Sequence, residues 1–289
     1  MAKIQKRLPS NVEGNFYVDS TCINCDTCRQ LAPLSFVEKG DYSTVFHQPI
    51  EVQEELHAHQ ALLACPVGSI GVSVTNKDLA QQAKETFPLL LGEGVFYNGF
   101  NSEKSFGANS YFIQHLNGNW LIDSPRYLSH LVEAFEALGG IRYIFLSHED
   151  DVADAGRYAK RFGAKRIIHQ HDGHAVPEAE WIVKGGEPVT ALEGFTLIPV
   201  PGHTPGSMAL LYRDEFLFSG DHLWWEPESH QLGTPEHLVW NEVQLIQSCK
   251  RLLGFTFEWV LPGHGHRVHL PQKKMKEALS QLVERREKA

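Results

Sequence analysis

The sequence predicts a small α+β unit followed by a larger layered α/β domain. Three observations carry this expectation. Cysteines crowd the first quarter of the chain, as Cys22, Cys25 and Cys28 with a remote Cys65-Pro66. From about residue 91, short β-rich apolar runs alternate with helix-period stripes, the pattern of strands covered by outer helices. Within that second region, glycine-punctuated motifs bearing His and Asp stand directly after apolar runs.

The chain has 289 residues, enough for one large domain or two smaller ones. Its net charge of −9 and lack of a long Lys/Arg run argue against nucleic-acid binding. No apolar run approaches a membrane span, and no apolar core follows the charged N-terminal residues, so neither membrane insertion nor secretion is expected. Five cysteines, four of them in one ligand-type spacing, suit a reducing compartment better than a disulfide framework, so a cytoplasmic location is expected. Cys249, among Leu245, Ile246, Leu252 and Leu253, reads as a buried helix residue.

Residues 1–75 form the first expected unit. Glu51–Ala64 reads as a helix with Val52, Leu56 and Leu63 on one face; it delivers Cys65 and stops at Pro66. Ile70–Val74 alternates as a short strand. Residues 76–90 are polar and weakly periodic, and read as a linker. The domain at 91–289 opens with strands around Asn117-Gly118, a hairpin signal. A helical stripe from Leu128 to Leu138 ends at Gly139-Gly140. Strand 143–146, helix 154–162 and strand 166–168 follow, then strands 195–200, 208–212 and 216–218. Helices at about 236–253 and 271–287 enclose a strand at 257–261.

The cysteine spacing carries chemistry. Three thiolates two residues apart wrap one face of a cubane, and the remote Cys-Pro supplies the fourth ligand of a 4Fe-4S cluster. The competing reading is structural zinc, which usually takes two Cys-x-x-Cys pairs. The set Cys22, Cys25, Cys28 and Cys65-Pro66 resembles monocluster bacterial-type ferredoxins. That resemblance implies an α+β ferredoxin-like small domain with one 4Fe-4S cluster.

Four motifs mark the second region: Ser147-His148-Glu149-Asp150, Pro201-Gly202-His203-Thr204-Pro205-Gly206, Ser219-Gly220-Asp221-His222 and Leu261-Pro262-Gly263-His264-Gly265. Imidazole and carboxylate ligands suit Zn, Fe or Mn. In this order the motifs resemble the metallo-β-lactamase superfamily, its glyoxalase-II-like branch in particular, over about residues 91–270. The resemblance implies an αββα metallo-β-lactamase-type sandwich with metal at one edge, and Asp123 as the residue that orients the ligands. The family's first motif, H-x-H-x-D-H, is only partly kept. Asp150 replaces its second His, and Val152 and Ala153 replace its Asp and last His. His148, Asp150, His203 and Asp221 then complete one site, leaving His264 and a share of Asp221 for another. One divalent metal, Zn or Fe, is expected; Asp151 and Asp154 are the residues in reach of a second site but out of register. His169, His171 and His174 read as surface-loop residues, His222 as a loop support, and Trp224 and Trp225 as pocket wall or core.

The resemblance implies a metal-dependent hydrolase of a small, thioester-like substrate, with Asp150 and His264 assisting proton transfer. Two alternatives stand beside it. His148, His203 and Asp221 form a two-His, one-carboxylate set similar to that of persulfide dioxygenases, so a mono-iron oxidoreductase could draw electrons from the cluster. A non-enzymatic electron carrier or redox sensor is the third. The expected partners are a small-molecule substrate and a redox protein.

Overall fold

A computed structural model describes residues 2–288. The chain divides into two compact units. Residues 1–119 and 124–140 make the first, residues 120–123 and 141–289 the second.

In the first unit, β1 (Phe16–Val18) precedes α1 (Thr27–Leu31), the hairpin β2 (Phe36–Lys39) and β3 (Tyr42–Val45), α2 (Val52–Ala64) and β4 (Ile70–Val72). β1 and β4 pair antiparallel, with Phe16 opposite Val72. Gly40, at φ +64°, supplies the left-handed turn between β2 and β3. A capping box fixes the start of α2: Glu51 accepts from the N3 amide, and the Glu54 side chain accepts from the amide of Glu51. The buried face of α2 carries Leu56, Ala58, His59, Ala61 and Ala64. Val52, expected on that face, is 70% exposed. Three alanines and a histidine complete the stripe, and these carry little weight in a hydrophobic pattern.

Residues expected as a linker instead contain α3 (Lys77–Glu85) and the start of β5 (Leu89–Gly92). Leu79 and Ala83 pack on Leu56 and Leu63 of α2. Asn76 caps α3 by accepting from the Leu79 amide, and Gln60 donates to Thr86 Oγ1. Leu79 and Ala83 stand one helical turn apart, but the polar residues around them leave α3 too hydrophilic to stand out in sequence; packing on α2 stabilises it as a helix. β5, β6 (Val95–Tyr97) and β7 (Tyr111–Ile113) pair antiparallel, and Phe112 of β7 stacks on Phe135 of α4 (Ser129–Ala137).

The second unit begins with β8 (Trp120–Ile122) and β9 (Tyr143–Phe145), followed by α5 (Ala155–Phe162), β10 (Lys165–His169) and β11 (Trp181–Val183). These four strands run parallel. Then come β12 (Val189–Leu192), β13 (Phe195–Pro199), β14 (Met208–Tyr212), β15 (Phe216–Gly220), the ribbon β16 (Trp224–Glu226) and β17 (Gln231–Gly233), α6 (Glu242–Leu252), β18 (Trp259–Pro262), β19 (Val268–His269) and α7 (Gln272–Lys288). The second sheet has the order β12-β13-β14-β15-β18-β19. α6 starts six residues later than expected, where Asn241 caps it by accepting from the Gln244 amide.

Alternation along β14 explains the layering. Ala209 and Leu211 face a core that includes Leu252 of α6 and Met275, Leu279 and Leu282 of α7. The opposite face of this sheet meets the parallel strands: Trp120 of β8 stacks on Phe195 of β13, ring centroids 4.5 Å apart. Both faces are buried, so these strands read as continuous apolar runs rather than alternating ones. Cys249 lies buried in the helix-side core.

Among the described residues, no helix is long and apolar enough to cross a membrane. At the surface, Arg166 of β10 grips Glu180 through two side-chain bonds, at 2.6 and 3.0 Å, and its own amide also donates to that carboxylate. These bonds hold Glu180 at about 2, below its ordinary 4.5. A lowered carboxylate stabilises the fold above pH 4.5, and that contribution is lost as pH falls through about 2. The stability gap between wild type and Glu180→Gln is therefore expected to be constant above about pH 5.5, at about 1 kcal/mol or less, and to shrink toward pH 3. Urea midpoints at pH 6 and pH 3 measure it.

Candidate metal centres

The sulfur centre is built by a loop and a helix end. Asn24 and Asp26 adopt φ +57° and +61°, left-handed values that short polar side chains tolerate. They curl the segment so that Cys22, Cys25 and Cys28 line one small cavity, and Cys65, at the C-terminal cap of α2, lines it too. The sulfurs receive donors: the Asn24 amide to Cys22 at 3.4 Å and the Ser69 amide to Cys65 at 3.3 Å. The hydroxyls of Thr27 and Ser69 lie 3.4 Å from Cys25 and Cys65. Gly107 passes so close that a Cβ there would sit 2.7 Å from Cys25 Cβ. Burial pushes the Cys25 thiol up to about 12 and raises Cys28 further. These two thiols ionise only against a bound cation, and together with Cys22 and Cys65 they put four sulfurs on one cavity, which fits a cluster.

The nitrogen and oxygen centre lies in the second unit, where the four motifs follow the C-terminal ends of β9, β13, β15 and β18. His148 is 1% exposed, and its Nδ1 lies 2.9 Å from Ser147 Oγ, which turns Nε2 toward the other ligands. The Ser147 amide in turn donates to buried Asp123, placed at φ +53°. Burial pushes the Asp123 carboxyl up to about 7. His148 Nε2 and His203 Nε2 lie 3.7 and 3.8 Å from Asp221 Oδ2. They lie 3.7 and 3.5 Å from Asp150 Oδ2, whose side chain is 63% exposed. His148, His203 and Asp221 present ligand atoms all within 4.8 Å of one another, and Asp150 stands at the rim.

A second group, Asp151, Asp221 and His264, meets the same criterion and shares Asp221 with the first. The expectation of a single ion counted only His264 and part of Asp221 there. Asp151 is the missing member: the turn after His148 brings it inward, so its side chain is 1% exposed. His264 Nδ1 lies 2.8 Å from Asp221 Oδ2. Asp154 belongs to neither group.

Electrostatics favour a cation here. Both Asp151 oxygens and His148 Nε2 are buried without a hydrogen-bond partner. Burial and the neighbouring Asp221 push Asp151 well above the carboxylate range. Burial lowers His148, keeping it neutral as a ligand must be. For His203, burial is outweighed by Asp150 and Asp221, which raise it. Burial of Asp221 is likewise outweighed, by His264, His148 and His203, so its carboxyl stays below the ordinary range. The donor set and these unsatisfied buried atoms fit divalent metal.

Gly263 permits the crowding. A Cβ there would sit 2.7 Å from Asp221 Oδ1 and 2.8 Å from Asp151 Oδ2. Gly263→Ala is expected to push these carboxylates apart and to lower metal retention about tenfold or more, read by elemental analysis after dialysis against a chelator.

The other histidines stand outside both groups. His169 Nε2 lies 2.9 Å from the Gly185 carbonyl, His174 pairs with Glu149, and buried His222 lies 3.5 Å from Cys249 Sγ. Trp224 packs over Gly265, beside His264, and Trp225 packs against the helix-side core. Sequence reasoning missed Ser147, Thr204 and Asp172. Their only signal is a small polar residue beside a ligand, or an Asp just after a strand.

Comparison with known proteins agrees with both halves. Residues 18–72 match the 4Fe-4S single cluster domain of ferredoxin I, and residues 93–283 match the metallo-β-lactamase superfamily. An uncharacterised Bacillus subtilis (strain 168) protein, YobT, is 27% identical over 209 residues, 60% of this chain and 90% of that protein. Hydroxyacylglutathione hydrolase of Acidiphilium cryptum (strain JF-5) is 29% identical over 118 residues, 39% of this chain and 48% of that enzyme. A crystal structure of DIM-1 metallo-β-lactamase exposed to ceftazidime superposes with a TM-score of 0.52 at 19% identity, covering 68% of this chain and 95% of that one. The likeness is one of fold. The chain joins a 4Fe-4S ferredoxin-type domain to a metallo-β-lactamase fold, and it belongs to the metallo-β-lactamase superfamily.

Proposed function

We propose that the chain is a metal-dependent hydrolase of a small thioester-like substrate, with its metal centre held by His148, His203, Asp221, Asp151 and His264. The observation that carries this reading is the pair of ligand groups joined at Asp221. The similarity to hydroxyacylglutathione hydrolase, though limited to 118 residues, points to the substrate class. Bound divalent ions, Zn or Fe, lower the pKa of a water to about 7 and polarise a carbonyl. The protein's own contribution is to hold neutral His148 and anionic Asp221 in place and to offer a proton acceptor at the rim. Asp150 Oδ2 faces both imidazoles from the more exposed side, where it can take a proton from an entering water. Ser147 fixes the imidazole of His148, and Trp224 restricts the approach beside His264.

Assay of the purified protein against a panel of acyl thioesters, with Asp221→Ala as control, tests the reading. Turnover that disappears in the control supports it. Equal turnover in both proteins, or none with a fully metal-loaded wild type, refutes it.

The two-His, one-carboxylate group together with the cluster domain supports a second reading, a mono-iron oxidoreductase supplied with electrons by the cluster and a redox partner. Iron at the second centre and activity that depends on an added reductant would favour this over hydrolysis.

A further inference from the structure

Asp172 is fully buried in the turn after β10, within the second unit, and neither ligand group includes it. Its carboxylate accepts three hydrogen bonds. The Gly206 amide donates to Oδ1 at 2.8 Å, and Thr204 Oγ1 and the Glu149 amide donate to Oδ2 at 2.6 and 3.2 Å. These donors lie 23 to 34 residues away in sequence, and two of them adjoin candidate ligands. Glu149 follows His148; Thr204 follows His203 and shares its turn with Gly206.

We propose that Asp172 is a positioning residue that ties the His148 loop to the His203 loop and holds the two imidazoles in register. The proposal rests on the metal centre proposed above.

The donor directions require a carboxylate. Both amides can only donate. Thr204 Oγ1 also lies 2.8 Å from Ser207 Oγ. When the Thr204 hydroxyl donates to Asp172, Ser207 donates to Thr204. Oδ1 and Oδ2 must therefore both accept. An asparagine would turn an N–H either toward the Gly206 amide, costing one of the two bonds to the His203 loop, or toward the Glu149 amide, cutting the single bond to the His148 loop. Gly206 is required by the same contact, since a Cβ there would run into the Asp172 carboxyl. The turn itself is fixed by the Asp172 amide donating to the His169 carbonyl at 3.1 Å and by the Ala175 amide donating to the Asp172 carbonyl at 3.1 Å. The brace thus stands on β10, a strand flanked on both sides. Polar residues behind metal ligands typically change metal affinity by about 10- to 100-fold.

The test uses full-length Asp172→Asn and Thr204→Val proteins. Zinc is loaded, and its release to an excess of chelator is followed. Amide hydrogen exchange is measured on the same proteins without zinc at the second centre. The proposal expects Asp172→Asn to release zinc about 10- to 100-fold faster and to lose protection at the Glu149 or Gly206 amide, with cluster absorbance unchanged. Thr204→Val, which removes one of three donors and keeps the carboxylate, is expected to speed release a few-fold. Wild-type release rates together with wild-type amide protection in Asp172→Asn overturn the brace. If that variant does not fold, unchanged release and protection in Thr204→Val overturn it. A wild-type protein that retains no zinc or other ion at this centre defeats the metal-centre reading, whereas the exchange data still decide whether Asp172 ties the loops.

Discussion

His203→Ala is expected to cost the ion held by His148, His203 and Asp221 while leaving the iron–sulfur absorbance intact. His203 supplies one of only three ligand groups in the first set. Its removal also leaves Asp150 without the imidazole 3.5 Å away, and deprives Asp221 of one of the three imidazoles that hold its carboxyl low. Loss of a direct ligand should exceed the 10- to 100-fold affinity loss typical of residues behind a ligand, so the divalent metal content of the second unit should fall by one ion per chain after dialysis, with at most the ion of the Asp151, Asp221 and His264 group left. Hydrolysis should fall with it by more than about 100-fold. The four cysteines lie in the other compact unit, so the visible spectrum should stay at wild-type intensity. Elemental analysis beside the absorbance spectrum reads both outcomes. Joint disappearance of the two would show that the centres are not independent.

Cys65→Ala is expected to have the reverse pattern and the larger effect on stability. Cys65 is buried at the end of α2, and its sulfur accepts from the Ser69 amide. Without it the cluster loses its remote ligand. The loop bearing Cys22, Cys25 and Cys28 is then tied to α2 only by ordinary packing. Small units held by metal draw much of their folding free energy from it, on the order of several kcal/mol. The variant should lose its visible absorbance, and the first unit should melt at least about 10 °C earlier in a calorimeter. Metal bound by His148, His203 and Asp221 should remain, because none of those residues lies in that unit.

Much of this was legible in the sequence for identifiable reasons. The cysteine spacing encodes its geometry locally, and only Cys65 had to be found at a distance. The strands β13, β14 and β15 are buried on both faces and stand out as apolar runs. α3 did not stand out, because Leu79 and Ala83 are its only buried residues. The place of Val52 could not be read either, since alanines fill half of the buried positions of α2. At the candidate metal centre the glycine-bracketed histidines marked the loops, but the rank of each aspartate depended on the path of the turn after His148. One residue decides it: Asp151 turns inward to 1% exposure, while Asp150 remains 63% exposed. Asp172 carried no motif, because its role comes from three donors distant in the chain.

Metal content per chain, measured on protein purified without added metal, tests the presence of two separate centres most directly. Cysteine sulfur in the first unit and the Asp221-centred groups in the second predict about four irons from the cluster plus one or two further divalent ions per chain. Iron equal to the cluster alone, with no ion retained at the second centre after reconstitution with Zn or Fe, would contradict them.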